Sequence, residues 1–183
     1  MNILYFLPGR GSSLNGRLGI ELQGRGFELY GRVLEGDFAK LSFPEQVDNV
    51  AADLRGLESR DVPVIANSWG AYWALHAILL NDRSYSRTLL ISPILGAVRS
   101  EGRMFKPPLS KVMERSIGAG LLPDVDLTVL VGSKDWQSPS DRCKALCEAV
   151  QGNLIIADGR GHDLGKEVVT DLLDRWLQET NDE

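Results

Sequence analysis

Short apolar runs alternate with amphipathic stretches from one end of the chain to the other, the pattern of strands and helices laid in turn around a parallel sheet. Six runs read as strands: Asn2–Leu7, Phe27–Leu34, Val62–Ala66, Thr88–Ser92, Leu127–Val131 and Asn153–Ala157. Most are continuously apolar rather than alternating, as expected of strands covered on both faces. Helical spacing fills the gaps near Ser13–Leu22, Ser42–Leu57, Trp69–Asn81, Pro139–Gln151 and Lys166–Gln178. The second of these has the plainest start: Ser42 can cap, Pro44 suits the first turn and Glu45 completes a capping box. The last sets Val168, Leu172, Leu173 and Trp176 on one stripe. The pattern predicts a three-layer αβα sandwich on a six-stranded parallel sheet, forming one domain over residues 1–183. Residues 96–126 break the rhythm: they hold Gly, Pro and one expected helix near Leu109–Ile117, and they exceed the usual length of a βα connection. They are a candidate short lid.

Composition narrows the partners. A formal charge of −5 opposes attraction to phosphate backbones and anionic lipid, so neither nucleic acid nor a membrane is the expected partner. Met1–Leu7 lacks the basic flank and longer apolar stretch of a signal peptide, and no apolar run approaches the roughly 20 residues that span a bilayer. A cytoplasmic location is the expectation. Cys143 and Cys147 lie one helical turn apart on the stripe of Leu146 and Val150, and they read as reduced core thiols. C-x-x-x-C is not a redox spacing, and no His or second Cys pair lies near enough in sequence to suggest a metal site.

One constellation carries chemistry. Val62–Ala66 is a buried strand, Asn67-Ser68-Trp69-Gly70 a tight turn, and Ala71-Tyr72-Trp73 the opening of a helix. The pattern G-x-S-x-G needs small residues two before and two after the serine, because strand and helix pass closely there. Ala66 and Gly70 fill those positions. Asp135 follows the strand Leu127–Val131 in Gly132-Ser133-Lys134-Asp135-Trp136, and His162 follows the last strand in Gly159-Arg160-Gly161-His162. The order Ser, acid, His, each at the C-terminal edge of a parallel strand, is that of a nucleophile with its base and orienting acid. Plainer readings stand beside it: a solvated loop histidine, and a turn-forming aspartate. Asp158 is a rival acid, whereas Asp124 and Asp126 precede their strand and belong to the other edge. The glycines of Leu7-Pro8-Gly9-Arg10-Gly11-Ser12-Ser13 fit either an oxyanion loop or a merely sharp turn. Leu14 stands where a dinucleotide fingerprint needs its third glycine, and no Lys-Ser/Thr of a P-loop follows.

These pieces, together with Asn67-Ser68-Trp69-Gly70-Ala71-Tyr72, Ser92-Pro93 and Gly161-His162, resemble the α/β-hydrolase superfamily. More narrowly they are similar to the small lid-poor bacterial serine esterases, whose first strand leads into a Gly-rich, Ser-Ser-containing loop. The resemblance spans most of the chain. It implies a minimal α/β-hydrolase fold with sheet order 2-1-3-4-5-6, and an oxyanion hole made by the N–H groups of Trp69 and Arg10.

The resulting expectation is hydrolysis of a small carboxylic ester or thioester through an acyl-enzyme, with Ser68 as nucleophile, His162 as base and Asp135 as acid. No metal or organic cofactor is implied. Arg10, Trp69, Met104, Phe105 and Trp136 are the expected substrate-binding side chains. Amide hydrolysis, acyl transfer and perhydrolysis use the same triad, because the fold does not fix the substrate. A non-catalytic binding module and a flavodoxin-like domain are the rivals outside enzymes of this type.

Overall fold

The computed structural model describes residues 2–57, 62–81 and 85–178. In chain order the first half holds β1 (Asn2–Leu7), α1 (Arg17–Gly24), β2 (Phe27–Tyr30), α2 (Gly36–Lys40), α3 (Phe43–Leu57), β3 (Val64–Asn67) and α4 (Trp69–Leu80). The second half holds β4 (Tyr85–Ile91), β5 (Val98–Ser100), β6 (Arg103–Phe105), α5 (Ser110–Gly118), β7 (Val125–Gly132), α6 (Ser140–Val150), β8 (Asn153–Ala157) and α7 (Lys166–Gln178). Six strands pair in the order β2-β1-β3-β4-β7-β8, every neighbour parallel. Counted along the sheet alone, this is the expected 2-1-3-4-5-6 order.

Alternation along each strand divides the core into two layers. Tyr5, Leu7, Val64, Ala66, Leu90, Val129 and Val131 face α3, α4 and α6, whereas Leu4, Phe6, Ile65, Leu89, Ile91 and Leu130 face α1 and α7. Burial of each such side chain contributes about 1.5–3 kcal/mol before the cost of ordering the chain. Helix α4 is buried from Trp69 to Ile78, so it has no polar face to present. Its Trp73 indole N–H donates to Gln46 Oε1 of α3 at 3.0 Å, which satisfies a group that would otherwise be costly to bury. Cys143 and Cys147 are unbridged and buried on α6, and burial raises both thiol pKa values, that of Cys147 to about 11.

Where elements depart from the sequence expectation, local geometry explains it. Helix α1 begins at Arg17 rather than Ser13, because Ser12 N–H donates to Gly9 O and Gly16 N–H to Ser13 O, spending those residues on turns. The second strand stops at Tyr30, because at Gly31 the backbone is pressed against that of β1. A Cβ there would sit 1.9 Å from the carbonyl oxygen of Phe6. The capping box forms with one change: Glu45 accepts from both the N–H and the hydroxyl of Ser42, so the Ser42 side chain serves the glutamate and not the helix. Residues 96–126 contain, besides the expected helix, an antiparallel hairpin of β5 and β6. Three contacts fasten this segment to the body: Tyr72 Oη donates to Pro108 O at 2.6 Å, Arg142 Nη1 donates to Ala97 O at 2.7 Å, and Arg142 lies 3.7 Å from Glu114.

Candidate active site

The chain turns from β3 into α4 within one residue. Ser68 takes φ 52° and ψ −108°, a conformation that costs a non-glycine residue about 1–3 kcal/mol and persists only where neighbours enforce it. They do so from three sides. Ser68 N–H donates to Ile91 O at 2.9 Å, Tyr72 N–H donates back to Ser68 O at 3.2 Å, and Gly70 lies directly against β1. A Cβ on Gly70 would sit 2.0 Å from the carbonyl oxygen of Leu7, so only glycine fits. Ala66, two residues before the serine, is fully buried, and its methyl group is accommodated.

The loops after β7 and β8 meet above this turn and are joined backbone to backbone. Ser133 N–H donates to Ala157 O at 3.0 Å and Lys134 N–H to Arg160 O at 2.8 Å. The Ser133 hydroxyl receives Gly159 N–H at 2.8 Å and donates to Asp158 at 3.2 Å. Gly132 allows the approach, since a Cβ on it would fall 2.3 Å from Arg160 O and 2.5 Å from Gly161 O. Across this seam His162 Nδ1 lies 2.9 Å from Asp135 Oδ2 and 3.1 Å from Oδ1, while Nε2 lies 2.8 Å from Ser68 Oγ. An imidazole that donates from Nδ1 to the carboxylate keeps Nε2 free to accept the serine proton. The Ser92 hydroxyl donates to His162 O at 3.1 Å and anchors the loop from below.

Asp135 is fully covered by protein. Burial pushes its carboxyl pKa up, but hydrogen bonding to His162, the attraction of that ring, and the N–H groups of Ser138 and Gln137 prevail and hold it below the usual carboxylate value. The carboxylate therefore stays ionised where the imidazole needs it. Asp158, the rival acid, is engaged by Ser133. Asp126 lies at the opposite end of β7, 3.8 Å from Arg87.

The loop after β1 lies against the serine: a Cβ on Gly9 would be 3.3 Å from Ser68 Cβ. Among the described residues, neither the N–H of Arg10 nor that of Trp69 donates to a protein acceptor. Of the expected substrate-binding side chains, the structure brings three together. The Arg10 guanidinium lies 4.2 Å above the Trp69 ring, and Phe105 meets the same ring edge-on at 6.3 Å. Phe43, which the sequence did not single out, also meets Trp69 edge-on at 5.9 Å. Trp136 stands apart under the guanidinium of Arg103, 4.6 Å away. Met104 points the other way: strand alternation turns Phe105 inward and leaves Met104 on the outer face beside Arg99, 64% exposed. Gly132, Ser92 and Gly9 help to position this site, a role that their motifs alone do not reveal. Glycine and serine at strand ends are too common to be read without knowing what passes beside them. Among the described residues there is no group of three or more His, Cys, Asp or Glu that could hold a metal ion. None of their helices is long and apolar enough to cross a membrane.

This architecture occurs in solved structures of distant sequence. The monoacylglycerol lipase of Paleococcus ferrophilus superposes with a TM-score of 0.71 over 96% of this chain and 93% of its own, at 15% identity. Est1E from Butyrivibrio proteoclasticus gives 0.70 over 99% and 88%, at 14% identity. Alpha/beta hydrolase domain-containing protein 10 from mouse gives 0.67 over 98% and 89%, at 14% identity. No family model matches the sequence, and no curated protein sequence matches it. The chain has the α/β-hydrolase fold, built on a sheet of six parallel strands.

Proposed function

We propose that the protein is a serine hydrolase that cleaves a small carboxylic ester or thioester through an acyl-enzyme. The observation that carries this reading is the continuous hydrogen-bonded chain from Ser68 through both nitrogens of His162 to Asp135. The strain held at Ser68 supports it, because a scaffold used only for binding has no need of a serine at φ 52°. The fold shared with a monoacylglycerol lipase agrees with it.

His162 Nε2 takes the hydroxyl proton as Ser68 Oγ bonds to the carbonyl carbon. The carbonyl oxygen becomes an oxyanion, received by the N–H groups of Trp69 and Arg10, and removing one such donor typically costs about 10²–10³ in rate. The C–O or C–S bond to the leaving group then breaks, and the imidazolium returns its proton to the departing alcohol or thiol. Water, deprotonated by the same nitrogen, releases the acid and restores Ser68. The sum is ester plus water to acid plus alcohol. Asp135 fixes the Nδ1–H tautomer and stabilises the imidazolium as it forms. Neither metal nor organic cofactor enters, and the substrate is a small molecule met in the cytoplasm.

Residues 96–126 hold a short hairpin and one helix, enough for a flap but not for a deep closed tunnel, which favours acyl chains of roughly two to six carbons. Turnover of 4-nitrophenyl esters tests both parts. The butyrate ester is expected to be hydrolysed faster than the laurate, and Ser68→Ala to abolish both reactions. Faster turnover of the laurate contradicts the short pocket, and undiminished turnover by Ser68→Ala contradicts the nucleophile.

A further inference from the structure

The side chain beside the nucleophile is a cation with no anion. Arg17, Arg25, Arg32 and Arg103 each hold a carboxylate at 3.1 Å or less. Arg10 holds none among the described residues. Its guanidinium is instead laid on the face of Trp69 at 4.2 Å, a cation–π contact that fixes the planar group while leaving its five N–H donors free at the edge. A second donor in the same stack is unsatisfied, because the Trp69 indole N–H is buried with no acceptor. Trp69 itself is only 5% exposed. Buried polar groups are nearly always paired, and among the described residues the Trp69 indole N–H shares this unpartnered state with His76 Nε2, Ser138 Oγ and Trp176 Nε1. The surrounding segment agrees in sign. Residues 97–118 carry Arg99, Arg103, Lys106, Lys111 and Arg115 against Glu101 and Glu114, in a chain whose net charge is −5.

Resting on the ester-hydrolase reading above, we infer that the acyl group this site takes ends in a carboxylate, so that the substrate class is the half-ester or half-thioester of a short dicarboxylic acid. A carbonyl whose oxygen lies on the N–H groups of Arg10 and Trp69 has its acyl chain beside the side chains of those same two residues. The acyl chain reaches the exposed edge of the Arg10 guanidinium, and its terminal carboxylate meets that edge, whose fork matches two carboxylate oxygens. Hydrolysis with one water gives the free diacid and the alcohol or thiol.

The test compares 4-nitrophenyl butyrate with the mono-4-nitrophenyl ester of glutaric acid, as the ratio of kcat/KM for the anionic over the neutral ester. A loss common to both substrates, such as a disturbed oxyanion loop, cancels in this ratio. The wild-type ratio is expected to exceed one, to fall about tenfold or more in Arg10→Met, chiefly through KM, and to recover in part in Arg10→Lys. In the wild type alone the ratio is expected to fall as salt rises from about 0.02 to 0.5 M, because screening weakens an ion pair at an exposed arginine. A ratio unchanged by both Arg10→Met and salt overturns the assignment of the carboxylate, while hydrolysis of the butyrate ester leaves the esterase reading standing. Hydrolysis of neither ester by the wild type overturns both.

Discussion

The two histidines of the chain occupy opposite environments. His162 sits on a loop at the sheet edge with both ring nitrogens placed against oxygen, one on a carboxylate and one on a hydroxyl. His76 lies in the middle of α4, 4% exposed, with its ring edge-on to Tyr72 at 4.6 Å and Phe43 at 5.2 Å. Its Nε2 has no partner among the described residues. Burial alone lowers the His76 pKa to about 4. In the proposed mechanism the first imidazole exchanges a proton with Ser68, whereas burial disfavours charge on the second. Partners, and not proximity in sequence to Ser68, distinguish them. Eight residues along a helix place a side chain about 12 Å from the start, too far for proton transfer at roughly 3 Å.

Removing each ring should separate activity from stability most strongly. His162→Ala is expected to lower kcat on a small ester by about 10⁴–10⁶, with little change in melting temperature, since the triad acts as a unit and this loop is exposed. A His76→Ala variant is expected to keep kcat within about threefold while losing about 2–4 kcal/mol of stability to the cavity it leaves. Parallel kinetics and urea unfolding check both, and an active His162→Ala beside a folded but inactive His76→Ala would reverse the assignment.

A smaller effect should appear as pH falls. Above about 6.5, His76 is neutral in both the folded and the unfolded chain, and its contribution to stability is complete. Between about 6.5 and 4 the unfolded chain binds a proton that the buried ring refuses, so stability drops with decreasing pH. Below about 4 both states are protonated and the loss ends. A shift of this size corresponds to about 3 kcal/mol. His76→Leu, which keeps the volume and removes the titration, is expected to flatten that part of the wild-type profile. Profiles of wild type and variant that run parallel from pH 7 to 4 would show that the ring does not titrate as its burial implies.

The smallest of the three effects concerns how the other ring is held. Gly132→Ala places a methyl group into the backbone at Arg160 and Gly161 and should displace the His162 loop by a fraction of an ångström. A loss in kcat of about 10–100-fold with KM nearly constant is expected, because misplacing a base costs reactivity before it costs binding. Wild-type kcat in this variant would mean that the seam between the two loops does not position the base.

What could be read from the sequence follows what depends on pattern. The strands Asn2–Leu7 and Asn153–Ala157 and the helix Lys166–Gln178 come directly from apolar spacing, and the sheet order came with the resemblance. Ser68, Asp135 and His162 could be named because each follows a strand that the pattern reveals, and the structure sets them within hydrogen-bonding distance in that order. The hairpin of Val98–Ser100 and Arg103–Phe105 could not be seen, since three-residue strands with arginines show no usable alternation. Its register decides that Phe105 reaches Trp69 and Met104 does not. Helix Gly36–Lys40 is likewise too short for a helical period to show. The approach of Phe43 to Trp69 depends on how α3 lies against α4, which no local sequence pattern carries.

The central claim, that Ser68 is a nucleophile activated by His162, is tested most directly by treatment with a fluorophosphonate followed by intact mass measurement and peptide mapping. One adduct per chain on Ser68, with none on Ser12 or Ser13, is the predicted result, together with loss of labelling in Ser68→Ala and strong slowing in His162→Ala. Labelling of Ser68→Ala at the wild-type rate, or of His162→Ala as fast as wild type, would contradict it.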